Sequence, residues 1–267
     1  MPLTTFQEAT ARLLSGNRTE DSHLAGGAAL HLQPNSKRYS NDLDYFQDSV
    51  ERVATAFADD RALLEEHGYS VQVELNQAGH IRASVRRGSE TTSIEWAHDS
   101  AWRFLPPLKN DIVGYQLHPI DLAINKVLAL AGRDEARDFL DILMIDREVL
   151  PLGALCWAAV GKDPGFSPRS LLELLKRRGK YQPEDFKRLR LSEEVDLQDL
   201  KARWLEALER AEAFIESQDP TRIGCLFYDP SREQFVAPIA EEQAVQATVL
   251  PHFGRPGGIL PAIRVDE

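Results

Sequence analysis

Hydrophobic residues in the first part of the chain alternate between helical and strand spacing. Apolar residues at helical spacing predict a short helix at residues 4–14 and a longer one at residues 49–67. The longer helix is expected to turn five residues toward the core: Val50, Val53, Ala54, Phe57 and Leu64. Strands are expected where polar and apolar residues alternate or a short apolar run occurs: residues 22–26, 42–46, 70–75, 80–86 and 91–96. Residues 28–32 are expected to form a helical turn.

The second part of the chain is dominated by helical spacing. Five helices are predicted, at residues 119–131, 134–147, 151–160, 167–178 and 195–217. A late hairpin is expected at residues 223–228 and 234–237, and the tail from Pro251 is expected to be extended or loose. These elements predict that the chain is organised as an α/β core at residues 1–118, a helical lobe at 119–218 and a hairpin with an extended tail at 219–267.

Composition indicates a soluble protein of one core, or a core with a smaller lobe. The chain has 267 residues, of which 43% are hydrophobic and 27% charged, both ordinary values. No apolar run approaches the roughly 20 residues that span a bilayer, and no signal peptide is apparent. Cys156 and Cys225 are isolated and form no metal-ligand pattern. We therefore expect a cytoplasmic protein without a membrane partner.

Net charge argues weakly against a non-specific nucleic-acid binder. The formal charge is −11 at pH 7, with an isoelectric point near 5.2, whereas such binders carry positive charge over their footprint. A local basic patch could still bind RNA, and the candidate patch comprises residues 176–180 and 187–190. Solvated basic faces on helices are the alternative interpretation.

Two motifs close together carry the first candidate chemistry. In Leu24-Ala-Gly-Gly-Ala-Ala-Leu30, a glycine pair ends an apolar run and opens a helix, where backbone N–H groups can surround phosphates. Asp42 and Asp44 follow at i and i+2 on a predicted strand, so both project to one face and can hold a divalent cation. The alternatives are a glycine pair that only permits tight packing and two solvated carboxylates.

Further candidates lie near these motifs. Glu95 has the pattern expected of a third metal ligand on a neighbouring strand, with Asp99 as the fallback; a cross-strand ion pair is the alternative for Glu95. Arg38 and Ser40, on the loop before Asp42, are candidates for binding phosphate oxygens, or serve only as turn and surface residues.

Lys126 is unusual because it lies on a predicted helix that is apolar nearly all round. Such a lysine is costly unless its ammonium has a partner or reaches a cleft, and a triphosphate would be such a partner. Simple snorkelling of the side chain to solvent is the alternative. On the next helix, Arg137, Asp138 and Asp141 are expected on the face opposite the buried one. Helical spacing alone favours a solvated stripe there, with an Arg137–Asp141 pair.

Taken in order, these motifs resemble one family. Leu24 to Leu30, then Arg38-Tyr-Ser-Asn-Asp-Leu-Asp44, then Asn125-Lys126 with Arg133 and Arg137-Asp-Phe-Leu-Asp141, are similar to the AbiEii toxin type of nucleotidyltransferase. These are toxin halves of abortive-infection toxin–antitoxin systems within the DNA-polymerase-β-like superfamily. The resemblance covers about residues 22–146.

The resemblance implies a mixed β-sheet flanked by helices, a carboxy-terminal helical lobe, and a nucleoside triphosphate bound with two Mg²⁺ ions. By position, Gly26 and Gly27 would hold the triphosphate and Asp42 and Asp44 the metal ions. Lys126 would contact phosphate, and Asp138 or Asp141 would match the family's late acid.

The resulting hypothesis is transfer of a nucleoside monophosphate to RNA, at the 3′ end of tRNA, by a toxin that has a cognate antitoxin. Two alternatives stay open. One is nucleotidyl transfer to a small molecule or a protein, which the acidic net charge favours. The other is an inactive fold that acts as a binding module.

Overall fold

The computed structural model describes residues 3–32, 38–238 and 249–261. Residues 33–37, which belong to the predicted turn-rich loop, and residues 262–267 of the tail lie outside them. The chain divides into two units. The sheet unit comprises Met1–His118, Leu189–Glu193 and Pro256–Gly258. The helical unit comprises Pro119–Arg188, Glu194–Arg255 and Ile259–Glu267.

The sheet unit alternates short helices with strands. Its helices are α1 (Thr5–Leu14), α2 (Gly26–Leu30) and α3 (Val50–Glu66). Its first five strands are β1 (Ser22–Ala25), β2 (Asp42–Gln47), β3 (Ser70–Gln77), β4 (His80–Arg87) and β5 (Glu90–His98). Three shorter strands follow: β6 (Trp102–Arg103), β7 (Leu108–Asn110) and β8 (Gly114–Gln116).

Seven of these strands form a mixed sheet in the order β3-β4-β5-β2-β1-β8-β7. The pairs β5–β2 and β1–β8 are parallel, and the remaining neighbours are antiparallel. The predicted fold class, a mixed sheet flanked by helices, is confirmed. Strands β7 and β8, of three residues each, were not predicted because they are too short to show alternation.

The core of the sheet unit lies on one face of the central strands. Leu43 and Tyr45 of β2 and Ile94 and Trp96 of β5 are fully buried. Helices α1 and α3 pack against this face. The alternation that predicted the strands therefore separates a buried apolar face from a polar one.

Two of the residues predicted to point inward from α3 do not. Val50 is 40% exposed and Ala54 is exposed, whereas Ala56 and the charged Asp60 are buried. The prediction is wrong at these positions because apolar periodicity does not reveal a buried carboxylate with a partner on another element.

The helical unit contains six helices and a small sheet within its described residues. The helices are α4 (Pro119–Gly132), α5 (Ala136–Glu148), α6 (Leu152–Lys162), α7 (Pro168–Leu175), α8 (Pro183–Phe186) and α9 (Leu197–Ser217). Helix α6 is buried from Leu152 to Val160 and lies against α4, α7 and α9. In the part of the chain that the structure describes, no helix has the length and apolar character to cross a membrane.

The small sheet of the helical unit includes extended residues of the tail. Strands β9 (Leu226–Asp229) and β10 (Gln234–Val236) form the predicted hairpin, and β11 (Leu250–His252) pairs with the other edge of β9. A last short strand is β12 (Arg255–Pro256). Just before the tail, Val249 joins Phe227 and Trp157 of α6 in a hydrophobic cluster.

A buried ion pair connects α3 to the start of the chain beneath the sheet. The guanidinium of Arg18 donates to Asp60 Oδ1, and both side chains are fully buried. Trp96 Nε1 donates to Asp60 Oδ2 at 2.7 Å, and Asn17 Nδ2 donates to Oδ1 at 2.9 Å. The Arg18 guanidinium also lies 4.3 Å from the centre of the Tyr45 ring. Asp60 thus accepts from three donors in two parts of the unit: the adjacent residues Asn17 and Arg18, and Trp96 of β5.

We expect Asp60→Ala to destabilise the protein by about 3–5 kcal/mol, because it leaves a buried guanidinium without its carboxylate. Urea unfolding measures the loss. The control is Asp59→Ala, the exposed neighbour on α3, which should change stability by less than about 0.5 kcal/mol. Equal stabilities for the two variants would show that the pair contributes nothing.

Candidate functional site

Gly26 packs its backbone directly against the side chain of Asp44. Because β1 and β2 are antiparallel neighbours with Ala25 opposite Asp44, the turn after β1 falls beside this carboxylate. Gly26 has a φ of +61°, in the left-handed region that favours glycine. A Cβ at this position would lie 1.8 Å from Asp44 Oδ2. The site therefore requires glycine for both conformation and space.

Arg38 and Ser40 converge on the second glycine. A Cβ at Gly27 would lie 2.9 Å from Arg38 Nη2 and 3.2 Å from Ser40 Oγ. Both side chains are nearly buried, at 7% and 1% residue exposure, which excludes the surface role considered for them. Ser40 Oγ donates to Asp42 Oδ1 at 2.9 Å. The structure thus brings together all six residues predicted around the glycine turn: Gly26, Gly27, Arg38, Ser40, Asp42 and Asp44.

The two aspartates lie on the same face of β2, opposite the core. Along β2 the half-buried residues Asp42 and Asp44 alternate with buried Leu43 and Tyr45. On the adjacent parallel strand, Glu95 pairs in register with Asp44 and lies on the same face. Strand pairing therefore places three carboxyl-bearing residues on one side of the sheet.

Glu95 is engaged by its own neighbours. His80 Nε2 lies 3.1 Å from Glu95 Oε2, and Arg82 Nη1 lies 3.7 Å from Oε1. Arg82 is the cross-strand partner of Glu95 in the β4–β5 pair, so the ion-pair interpretation describes its present contacts. No cluster of three metal-ligating side chains occurs among the described residues. A metal role for Glu95 stays a prediction.

Gln7 supports the aspartate loop and was missed by the sequence interpretation. Its Nε2 lies 3.3 Å from both Ser40 O and Thr92 Oγ1, while its Oε1 accepts the Thr4 N–H at 2.9 Å. One side chain therefore caps α1 and anchors the residue whose hydroxyl binds Asp42. The sequence Thr4-x-x-Gln7 is a capping-box signal, but it does not reveal the two distant acceptors.

A second cluster lies within the helical unit, around Lys126. Its Nζ is 2.9 Å from Asp138 Oδ1 and 2.8 Å from Asp141 Oδ2. Arg133 Nε also donates to Asp138, at 2.8 Å. The side chains of Asp138 and Asp141 are 0% and 1% exposed. The partner that a buried lysine requires is thus supplied by the protein.

These contacts keep the cluster ionised. Burial lowers the pKa of Lys126, but the carboxylates of Asp141 and Asp138 outweigh it, so the net shift is upward. Burial raises the pKa of Asp138, but the charge of Lys126 and the hydrogen bond from Arg133 outweigh it, so the net shift is downward. A charged lysine therefore faces two buried acids.

The prediction of a solvated stripe on α5 is wrong. Asp138 and Asp141 face Lys126 rather than water, whereas Arg137 is partly exposed and Asp134, which was predicted in the same stripe, is exposed. Helical spacing showed that these residues share a face, but not that α4 covers it.

The family model for "Nucleotidyl transferase AbiEii toxin, Type IV TA system" matches residues 12–237. The match spans the glycine turn, both aspartates and the Lys126 cluster. Among curated proteins, no sequence matches significantly.

Solved structures share the fold at low sequence identity. A Helicobacter pylori protein provisionally assigned as a nucleotidyltransferase has a TM-score of 0.53 and 15% identity, over 80% of this chain and 96% of that one. JHP933 from Helicobacter pylori has a TM-score of 0.51 and 18% identity, over 80% and 92%. MenT4, a nucleotidyltransferase toxin from Mycobacterium tuberculosis, has a TM-score of 0.50 and 17% identity, over 81% and 83%.

At these identities the three structures establish the fold alone, whereas the family match covers most of the chain. The protein therefore belongs to the AbiEii family of nucleotidyltransferase toxins of type IV toxin–antitoxin systems.

Proposed function

We propose that the protein transfers a nucleoside monophosphate from a nucleoside triphosphate to an RNA acceptor, the 3′ end of tRNA, with Mg²⁺ bound by Asp42 and Asp44. The observation that carries this proposal is the convergence at Gly26 and Gly27. The backbone of Gly26 lies against the side chain of Asp44, a candidate metal ligand. The guanidinium of Arg38 and the hydroxyl of Ser40 both lie next to Gly27.

The donor set fits a magnesium site. Mg²⁺ prefers oxygen ligands and is commonly held by one or two carboxylates, with substrate phosphates and water completing its coordination. Asp42 and Asp44 supply two carboxylates on one face of β2. Ser40 donates to Oδ1 of Asp42 and so orients that carboxylate. A third protein ligand is not required for this mode of binding.

The same residues suit the chemistry of nucleotidyl transfer. The acceptor oxygen forms a bond to the α-phosphorus as the α–β phosphoanhydride bond breaks, which releases pyrophosphate and the hydroxyl proton. Bound Mg²⁺ would position the phosphate and stabilise its developing charge. Arg38, whose Nη2 lies beside Gly27, supplies a positive charge for phosphate oxygens. Ser40 is proposed as a second nucleotide-binding residue at the same glycine.

Lys126 is proposed to add a phosphate contact. Its ammonium is the donor for Asp138 and Asp141, and it retains its charge because these acids raise its pKa. Asp138, bound by Lys126 and by Arg133, would position the ammonium, and Arg137 is proposed as a further nucleotide contact.

Two broader parts of the proposal concern the protein partner and the cellular compartment. A type IV toxin implies an antitoxin encoded as its partner. An RNA substrate inside the cell implies action in the cytoplasm.

The direct test incubates the protein with each α-labelled nucleoside triphosphate, Mg²⁺ and total RNA, and separates the products by size. We expect label in the tRNA fraction. Replacing both ligands, as Asp42→Asn with Asp44→Asn, should lower the transfer rate by more than about 100-fold, because charge on the phosphate is no longer stabilised.

The matched control is Asp59→Asn, an exposed aspartate on α3, which should transfer label at the unchanged rate. Label that appears only in small molecules or protein would replace RNA as the acceptor. The absence of any transfer, together with no stabilisation by triphosphate, would refute the proposed function.

Gly26→Ala should abolish most of the transfer activity while the protein stays folded. The added Cβ would displace the carboxylate of Asp44, and the positive φ adds strain of about 1–2 kcal/mol. The control is Gly88→Ala, which has a φ of +62° but no atom within 4 Å of the added Cβ. Both variants should lose stability in thermal unfolding, Gly26→Ala the more because of the clash with Asp44, and only Gly26→Ala should lose activity. Equal activities would exclude a role for the close approach.

Lys126→Met tests the phosphate role of the second cluster. It should cost about 3–5 kcal/mol, because two buried acids lose their cation, and should weaken triphosphate binding, measured by calorimetry well below the melting temperature. Lys176→Met is the control, since Lys176 also binds two carboxylates, Glu173 and Glu212, but at the surface. Unchanged triphosphate affinity in Lys126→Met would make Lys126 structural.

The pH dependence of this cluster has a definite sign. Because folding lowers the pKa of Asp138, its contribution is present above the ordinary value of 3.8 and is lost as pH falls through the lower folded pKa. Because folding raises the pKa of Lys126, its contribution is present below 10.5 and is lost as pH rises through the higher folded pKa. The contribution of Lys126 and Asp138 to the stability of the unaltered chain should therefore stay constant between these limits, which urea unfolding at a series of pH values measures.

A further inference from the structure

Positive charge is concentrated in one segment of this acidic protein. Residues 176–190 contain seven basic residues against two acidic ones, in a chain whose formal charge is −11. Three of the basic side chains are engaged within the helical unit. Lys176 binds Glu173 and Glu212, Lys187 binds Glu184, and Arg178 donates to the carbonyls of Leu130 and Ala131 at the end of α4.

Two exposed arginines end this segment, and Arg177 and Lys180 are exposed nearer its start. Arg188 and Arg190 are both exposed to solvent, and neither forms an ion pair with any residue that the structure describes. Two arginines two positions apart therefore end the segment with unneutralised charge.

Backbone pairing places Arg190 beside the aspartate loop. Residues 189–193 belong to the sheet unit. The Tyr39 N–H donates to Arg190 O at 3.0 Å, and Arg38 and Leu191 form an antiparallel bridge. Tyr39 separates Arg38 from Ser40, whose side chains meet at Gly27. We refer to Gly26 and Gly27 with the adjoining side chains of Arg38 and Ser40 as the glycine cradle. The exposed residue Arg190 is thus attached through its backbone to the strip of chain, residues 38–40, that contributes to this cradle.

We infer that Arg188 and Arg190 bind backbone phosphates of the RNA acceptor next to the nucleotide being extended. This inference rests on the proposed RNA acceptor. An acceptor strand carries one negative charge for each nucleotide, and the net charge of the protein opposes its approach. The exposed guanidinium of Arg190, whose backbone pairs with Tyr39, and that of Arg188, two residues earlier in the chain, offset that repulsion locally. Guanidinium groups bind phosphate oxygens in a bidentate manner.

The contact would be independent of sequence and separate from triphosphate binding. Arg38 and Ser40 face the glycine turn and are nearly buried, whereas Arg188 and Arg190 are exposed. Removing the exposed pair should therefore weaken the acceptor complex without changing the triphosphate complex. This separation makes the inference testable.

The experiment compares the full chain with the double variant Arg188→Gln, Arg190→Gln. Unfractionated tRNA with a fluorescent label at its 5′ end is titrated with protein at several salt concentrations, and fluorescence anisotropy reports binding. We expect weaker binding and a salt dependence whose slope is shallower by about 1.4, since each single-strand phosphate contact contributes about 0.7. The KM for tRNA in the labelling assay should rise, and thermal stabilisation by triphosphate with Mg²⁺ should be unchanged.

The matched control, Arg12→Gln with Arg169→Gln, removes the same charge from exposed positions on α1 and α7, whose ion pairs lie on the surface. It should bind tRNA as the unaltered chain does. Equal affinity and slope in both double variants would overturn the inference and leave the proposed function intact. Loss of triphosphate stabilisation in Arg188→Gln, Arg190→Gln would also overturn it, because the pair would then act on the nucleotide. If the unaltered chain neither binds nor labels tRNA, the RNA acceptor itself fails and the inference fails with it.

Discussion

The pleat of β2 couples the hydrophobic core of the sheet unit to its two aspartates. Leu43 and Tyr45 are fully buried, and the residues that alternate with them, Asp42 and Asp44, must then face the opposite side. A slip of one residue in this strand would bury both carboxylates and expose the apolar pair. The free energy of core packing therefore fixes the direction of the candidate metal ligands.

Some charged side chains of this protein form buried ion pairs, whereas others are exposed to solvent. Arg18 with Asp60, and Lys126 with Asp138 and Asp141, are charged groups removed from water and matched to one another. Such arrangements seldom add much stability over apolar residues of the same size. The pairing nevertheless keeps these charges inside the protein, because removing either partner would leave a buried charge uncompensated.

The sequence predicted those features that local spacing determines. The i, i+2 spacing of Asp42 and Asp44 on an alternating strand was sufficient to place them on one face, and the glycine pair was correctly placed at the turn after β1. Gln7 was missed because its acceptors, Ser40 and Thr92, lie far away along the chain. Asp138 and Asp141 were assigned to solvent because a single helix does not show what packs against it. Long-range contacts thus account for what the spacing could not reveal.

The bridge between Arg38 and Leu191 has a consequence for synthesis of the toxin. The strip of chain that carries the cradle is completed by a segment that the ribosome adds much later, after all of β3 to β8 and most of the helices. Contacts between such distant segments form late, because the intervening chain must first fold or be closed as a loop. A nascent chain that ends before this segment lacks the completed cradle. The topology therefore leaves this strip of chain without its bridge to Leu191 until most of the protein has been synthesised.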